Sequence, residues 1–551
     1  MTRSVIVLSL AATVGLVLTF AAFPTLSANL VNSVGKAMPP DAAPLARQVL
    51  RTMSPEPRSL DAQVNLYDAE ATILPWEPLL TRDEVWQPVP AAATSYSASK
   101  DGKTWTFNLR KGAKWSDGRP VTAGDFVYAF RRTLDPEVAN PYASFYYDIK
   151  NAEAISQGKI KDMTQLGIRA SGDLTLIIET ERSCPYFPHI VSFPLAYAAP
   201  KWAIDKYGKR WTEPDKIVSN APFKLSEWVR GSHMTFVPDP NYNGPHKPFL
   251  EKVIHPFRDE SVATVLAYEN NEVDIEGVDI NELERIQKHP VLGKELLRSW
   301  GRTTWYLFFA TTRPPFNDIR VREAFARAID RDAVCRVVLK GTAAPAYGML
   351  PPDFKEFDGA AVKAFQAYNP DRAKQLMKEA GYPNGRGFPR QEMWLRAPTP
   401  SNTMAASAIQ SMLKNILGVD VVIRSADRTA YMSQLYDWKM NFGLIRFVAD
   451  YVDPRNMLDM TWRSQPQGVG RHDWHSAAFD ALVESASSEL DPMKRTRLYQ
   501  QADDVLVKAY AAAFVFHPQN LELRKPWIAG YRRNTDGTVG SVIYDKLYIK
   551  R

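Results

Sequence analysis

Cysteine is almost missing from this chain, with Cys184 and Cys335 the two examples in 551 residues. Two thiols permit a disulfide without demanding one. Neither stands near the N-terminus, which excludes a lipid-modified N-terminal cysteine. Histidine is scarce as well, at eight residues. His472 and His475 form the one close pair, but 464–473 reads as a polar loop, so no metal role is expected there. The sequence contains no G-x-S-x-G elbow and no H-E-x-x-H helix, so an exported hydrolase finds no motif to support it. Blocks of like charge are missing too. The 68 basic and 61 acidic residues nearly balance, leaving a net charge of +7. Without an Arg/Lys run interleaved with aromatics, nucleic-acid binding has no footing. Internal repeats are absent, and beyond the N-terminus no apolar run is long enough to span a membrane.

What is present describes a large globular protein. A chain of 551 residues exceeds what one hydrophobic core serves and should divide into two or more domains. Hydrophobic residues at 45% and charged residues at 23% are ordinary values. The aromatic share is high at 11%, with 14 Trp and 23 Tyr. Most such rings fill cores, although broad rigid rings also suit ligand walls. At the start, Arg3 precedes an apolar run from Val5 to about Phe23, with Ser27 and Ala28 beyond. This is the order of a secretory signal over 1–28. Leu26 makes a poor cleavage site, so an uncleaved anchor stays open as the alternative. Residues 29–57, rich in Ala and Pro, read as a linker.

Strand and helix signals then alternate. Trp105, Phe107 and Leu109 interleave with polar neighbours in a strand period, and Ser116-Asp117-Gly118 makes a turn. Thr122 is placed to cap a helix carrying Phe126, Phe130 and Leu134 on one face. Further strands are expected over 173–180, over 223–237 as a pair around Arg230-Gly231, and over 419–423 and 441–448. Helices should begin at Asn317-Asp318, restart at Asp330 and stop at Gly341; another should run from Asn369-Pro370 to Gly381. Cys335 falls on the apolar side of one of them, where a buried thiol fits. Mixed α/β layers follow.

Several stretches carry a resemblance. The first is Trp105-Thr106-Phe107-Asn108-Leu109-Arg110-Lys111-Gly112-Ala113-Lys114-Trp115-Ser116-Asp117-Gly118, continuing through Pro120-Val121-Thr122-Ala123 to Asp135-Pro136. The others are Ile217 to Phe223 with Trp228, Pro315 to Arg322 with Asp330-Arg331-Asp332, Ala449-Asp450-Tyr451 with Pro454, and Lys525-Pro526-Trp527 with Gly530-Tyr531. Together, in this order over roughly 58–550, they resemble the family-5 extracellular solute-binding proteins of ABC importers. That resemblance implies an α/β, two-lobed clamshell of the type II kind. Lobe I would comprise 58–78, 199–301 and 520–551, with an extra sub-domain at 79–198; lobe II would be 302–519. The chain would be a non-enzymatic, periplasmic, monomeric protein without cofactor or metal. It would capture peptides, oligopeptides above all, and deliver them to membrane permease subunits. A dipeptide, metal-chelate or opine cargo, or a membrane-tethered ligand sensor, are the alternatives. Placed in different lobes, the two cysteines would be free thiols.

A peptide shut in such a cleft must pair its backbone, because each unmet amide costs about 1–3 kcal/mol. Its ammonium needs a buried counter-charge. The resemblance assigns that charge to Asp450, although the residues alone also fit a turn-forming Asp before Tyr451 and Pro454. Phe447 and Tyr306 match cleft rings, each equally suited to a core, and Trp305 neighbours Tyr306. Leu444 stands where the family has an arginine. Arg446, on the same strand face, is the candidate substitute. A second family carboxylate has no clear match around 65–67, and a cleft glutamate is replaced by Phe308.

Overall fold

The computed structural model describes residues 30–66, 68–69, 72–83, 85–193, 195–258, 263–531 and 544–551. The expected signal or anchor over 1–28 lies outside the described residues, and so does Tyr67. From Leu30 onward the supposed linker is packed structure. Ala43 and Leu50 are fully buried, and Ala42 bridges to Lys550. The Gln48 side-chain amide donates to the Ala43 and Ile549 carbonyls at 2.8 Å each. Val49–Arg51 (β1) adds a strand to a sheet. Proline-rich chain cannot make its own ladder, but it recovers backbone hydrogen bonds by pairing with the chain at 252–256 and, at Ala42 and Ala43, with the C-terminal tail.

The sub-domain follows, as an antiparallel sheet of Ala93–Ala98 (β2), Thr104–Leu109 (β3), Ile168–Ala170 (β4) and Thr175–Glu179 (β5) in the order β2-β3-β5-β4. In β3 the alternate residues Trp105, Phe107 and Leu109 are buried while Asn108 is exposed. Against this sheet lies Ala123–Thr133 (α1), closed at its start by a capping box in which the Thr122 N–H donates to Asp125 Oδ2 at 2.8 Å. The chain then returns to β1 with the hairpin Phe223–Val229 (β6) and His233–Pro238 (β7). Gly231 turns this hairpin at φ +72°, a value that a side chain would resist. Lys252–Pro256 (β8) completes the order β1-β8-β7-β6.

An eight-stranded mixed sheet joins the two halves. Its strands are Ile275–Gly277 (β9), Leu296–Trp300 (β10), Thr303–Phe309 (β11), Ala343–Pro345 (β12), Gln391–Arg396 (β13), Val421–Ala426 (β14), Phe442–Val448 (β15) and Ala512–Arg524 (β16). The main order is β9-β16-β11-β15-β13-β14, with β10 and β12 also on β16. Every residue of β11 is buried, because helices cover both faces. Trp305, Leu307 and Phe309 face one layer, which contains Ile319–Arg327 (α2), Pro370–Glu379 (α3) and Pro400–Met412 (α4). Tyr306 and Phe308 face the other, which contains Arg428–Tyr436 (α5), Ala477–Ser488 (α6) and Pro492–Lys508 (α7).

β16 spans both halves. Its first residues pair with β11 and β12, and its last with β10 and β9. Beside it the chain crosses a second time between β10 and β11, where the Gly301 N–H donates to the Pro518 carbonyl at 3.1 Å. Two adjacent extended crossings form a narrow joint, the geometry that permits rotation with few dihedral changes. Cys184 and Cys335 are both buried free thiols, the first in the sub-domain core and the second in the core on the α2 side of the mixed sheet.

Candidate functional site

A cavity of about 1420 Å³ lies between the sub-domain and the carboxyl ends of the parallel strands β13 and β15. Carboxyl ends of parallel strands are a preferred ligand position, because side chains there leave the sheet beside loops free to diverge. Tyr142, Phe145 and Phe193 supply an aromatic wall from the sub-domain side. The polar walls hold eight arginines and six carboxylates, without lysine or histidine.

Asp450 lines the cavity just beyond the end of β15 and is half-buried. Its backbone N–H donates to Asn456 Oδ1 at 2.8 Å, and Asn456 Nδ2 donates to Asp450 Oδ2 at 3.2 Å. Fully buried Asn456 thereby sets the carboxylate's orientation. Trp305, Arg446 and Phe447 also line the cavity. Trp305 stacks on Phe516 at 5.6 Å, with the Arg446 guanidinium 5.7 Å from its ring. Arg446 is directly opposite Trp305 in the β11–β15 ladder. The Phe447 ring carries the Arg471 guanidinium at 4.8 Å.

Tyr306 is a correction. It is completely buried and not part of the cavity wall. Its hydroxyl hydrogen-bonds His472 Nε2 at 3.1 Å, and its ring packs on Trp462 and Phe514. Period-two alternation explains this: with Trp305 turned to one face of β11, Tyr306 must enter the opposite core. His472 is likewise internal, stacked on Trp462 at 4.1 Å, and burial followed by the Arg471 charge holds its imidazole well below the usual range. No cluster of three or more metal-ligating side chains occurs among the described residues. Phe308 is buried beside His472, and Leu444 reaches the wall only as a fully buried side chain.

The sequence reading missed several wall residues. Asp68, one position past the stretch searched for a second carboxylate, lines the cavity 3.8 Å from Arg58. Arg396 ends β13, Arg428 opens α5, and Arg471 belongs to the segment read as a polar loop. A strand ending in arginine was a usable signal for Arg396. Nothing local marks Arg471, because only the tertiary fold brings its segment inward, where Asp473 accepts the Thr311 N–H at 2.7 Å. Burial, and after it the charges of Arg471, Arg446 and Arg428, push Arg396 down to about 10. Burial also pulls on Arg471, but Tyr436, Tyr306 and Asp450 outweigh it and leave that group above its ordinary value.

The halves also touch directly at this end. Arg455 pairs with Asp148 of the sub-domain at 2.9 Å and lies 4.6 Å from the Tyr186 ring, while Tyr451 enters the sub-domain core against Phe145. Among the described residues no helix is long and apolar enough to cross a membrane.

Known proteins share this architecture. The family model for bacterial extracellular solute-binding proteins, family 5 Middle, matches residues 87–468. The periplasmic oligopeptide-binding protein OppA of Escherichia coli K12 is 32% identical over 466 residues, covering 83% of this chain and 84% of its own. The same organism's probable deoxycholate-binding periplasmic protein YgiS is 31% identical over 521 residues, covering 93% and 95%. Among solved structures, the Escherichia coli murein tripeptide binding protein MppA superposes with a TM-score of 0.75 at 28% identity, covering 91% of this chain and 98% of that one. On the strength of the family match and these identities, the chain is a member of family 5 of the bacterial extracellular solute-binding proteins.

Proposed function

We propose that this protein captures peptides, oligopeptides above all, in the cavity between its two halves and hands them to the permease subunits of an ABC importer. The observation that carries the reading is Asp450, a half-buried carboxylate held by Asn456 at the wall of a cavity of about 1420 Å³. An ammonium removed from water needs such a partner, and a charge-assisted hydrogen bond supplies it. The volume exceeds that of a typical small-molecule pocket and suits several residues of extended chain. Peptide-binding names among the relatives agree with this assignment. Trp305 and Phe447 contribute apolar contact to the ligand and Arg446 a charge. Tyr306 acts only by supporting the wall from behind.

The protein works as a monomer on the periplasmic side and without catalysis; membership of a binding-protein family and the periplasmic relatives support this. Lobe II runs from about 302 to 519 and swings against the remainder at the joint beside Gly301. Native mass spectrometry of the purified protein, followed by calorimetry with short peptides, tests the reading. Peptide-sized adducts and micromolar or tighter binding are expected. A cavity that holds no peptide under any of these conditions ends it.

A further inference from the structure

Tyr451 crosses from the second half into the core of the sub-domain. Its ring is fully buried there, and every other buried member of that core cluster lies between Ala62 and Trp211. The Phe145 ring meets it edge-on at 6.1 Å, and the His189 ring stacks on it at 6.3 Å. Separating the halves would put the Tyr451 ring in water, together with the sub-domain surface that receives it. Apolar surface of that size resists such exposure.

The same turn carries Asp450. Asp450 lines the cavity, whereas Tyr451, one position on, is not part of the cavity wall and packs into the sub-domain. The Tyr451 hydroxyl donates to Met460 Sδ at 3.4 Å and accepts from Arg455 Nη1 at 3.1 Å. Asn456 Nδ2, which donates to the Asp450 carboxylate at 3.2 Å, also reaches Met460 Sδ at 3.5 Å. Across the gap Arg455 pairs with Asp148 at 2.9 Å. The backbone tightens the turn further: the Asp453 N–H donates to the Tyr451 carbonyl at 3.0 Å, and the Asn456 N–H to the Asp453 carbonyl at 3.0 Å. The cavity carboxylate and the contact between the halves thus belong to one hydrogen-bonded unit.

We propose that Tyr451 is a latch, a positioning residue that keeps the halves shut over a bound peptide without touching it; this rests on the peptide-binding reading above. An arriving ligand meets the open form, in which the ring is withdrawn, so the latch does not govern capture. Escape requires the ring to leave the sub-domain core first, so the latch governs how long the ligand stays. A contact made only in the closed form raises affinity by favouring that form, and its loss is felt in dissociation.

Stopped-flow fluorescence and small-angle scattering on the full chain, refolded from denaturant to clear the cavity, test this with trialanine as the probe. Tyr451→Ala should release trialanine about tenfold or more faster, while the association rate stays within about twofold of the unaltered protein's. Tyr451→Phe keeps the ring and loses only the hydroxyl bonds, so it should restore most of the residence time. Ligand-free Tyr451→Ala should scatter as an expanded particle and Tyr451→Phe as a compact one. Should the alanine variant fail to fold, Tyr451→Leu, which stays apolar but lacks the ring's reach, gives the same readout. A residue serving stability alone would lower Tm and leave the dissociation rate and the scattering curve unchanged, and that result overturns the latch. Slowed association with unaltered dissociation overturns it as well. If trialanine does not bind the unaltered protein, the peptide reading loses its support, and scattering by the ligand-free variants still decides the latch.

Discussion

Asn456 grips Asp450 from two sides, accepting its backbone N–H at 2.8 Å and donating to its carboxylate at 3.2 Å. The pair spans the turn that leaves β15, so a core residue dictates where a cavity charge points. Asp450→Ala should weaken binding of peptides with a free amino end by about 1.5–3 kcal/mol, the range for hydrogen bonds to charged groups. Asn456→Ala should weaken it less, because the carboxylate survives with its orientation loosened. Calorimetry with free and N-acetylated versions of one peptide checks this; Asp450→Ala should narrow the gap between them, and an unchanged gap removes Asp450 from the site.

The Arg455–Asp148 bridge holds the halves together at 2.9 Å, with both side chains nearly buried. Removing one partner leaves the other charge poorly compensated. Arg455→Ala should therefore expand the ligand-free protein in small-angle scattering and lower peptide affinity. Identical scattering curves for the two proteins would separate this bridge from closure.

Asp503 behaves in the opposite sense to an ordinary surface carboxylate. Burial pushes it up to about 7 from 3.8, although the Met349 N–H bonded to it at 3.1 Å pulls the other way. The folded state thus holds this proton more tightly than the unfolded state. The associated stability is complete below pH 3.8, declines as pH rises from there to about 7, and is absent above. Asp503→Asn, which keeps an acceptor for Met349, should raise Tm more at pH 8 than at pH 4. Equal shifts at the two pH values would refute the assignment.

Both thiols should resist modification in the native protein. Burial raises Cys184 well above its ordinary range and takes Cys335 up to about 12, and only the thiolate reacts. Ellman's reagent should find no thiol under native conditions and both cysteines in denaturant. Fast native reaction, or no reaction after unfolding, would contradict the two buried thiols.

Much of the architecture was legible in local pattern. The capped start of α1, the period of β3, the Gly231 hairpin and the buried strand β15 all follow from short-range rules of spacing and capping, whereas β14, expected to be buried as well, lies at the sheet edge with Val421 its one buried residue. Trp305, Phe447 and Asp450, which the resemblance named, line one cavity. Residues 30–57 misled because composition records that a segment cannot be helix or central strand, but not that distant β8 and the C-terminal tail will supply its hydrogen bonds.

Alone, the amino-acid sequence determined the periodicities, caps and turns, because these depend on neighbours a few positions apart. It also contained the motif order that marks the family. Tertiary structure decided which face of β11 meets the cavity, sending Trp305 to the wall and Tyr306 into the core. It likewise assembled Arg396, Arg428, Arg446 and Arg471 from four separate elements into one charged surface. Electrostatic interaction falls with distance through space rather than along the chain, so no local pattern could announce that grouping.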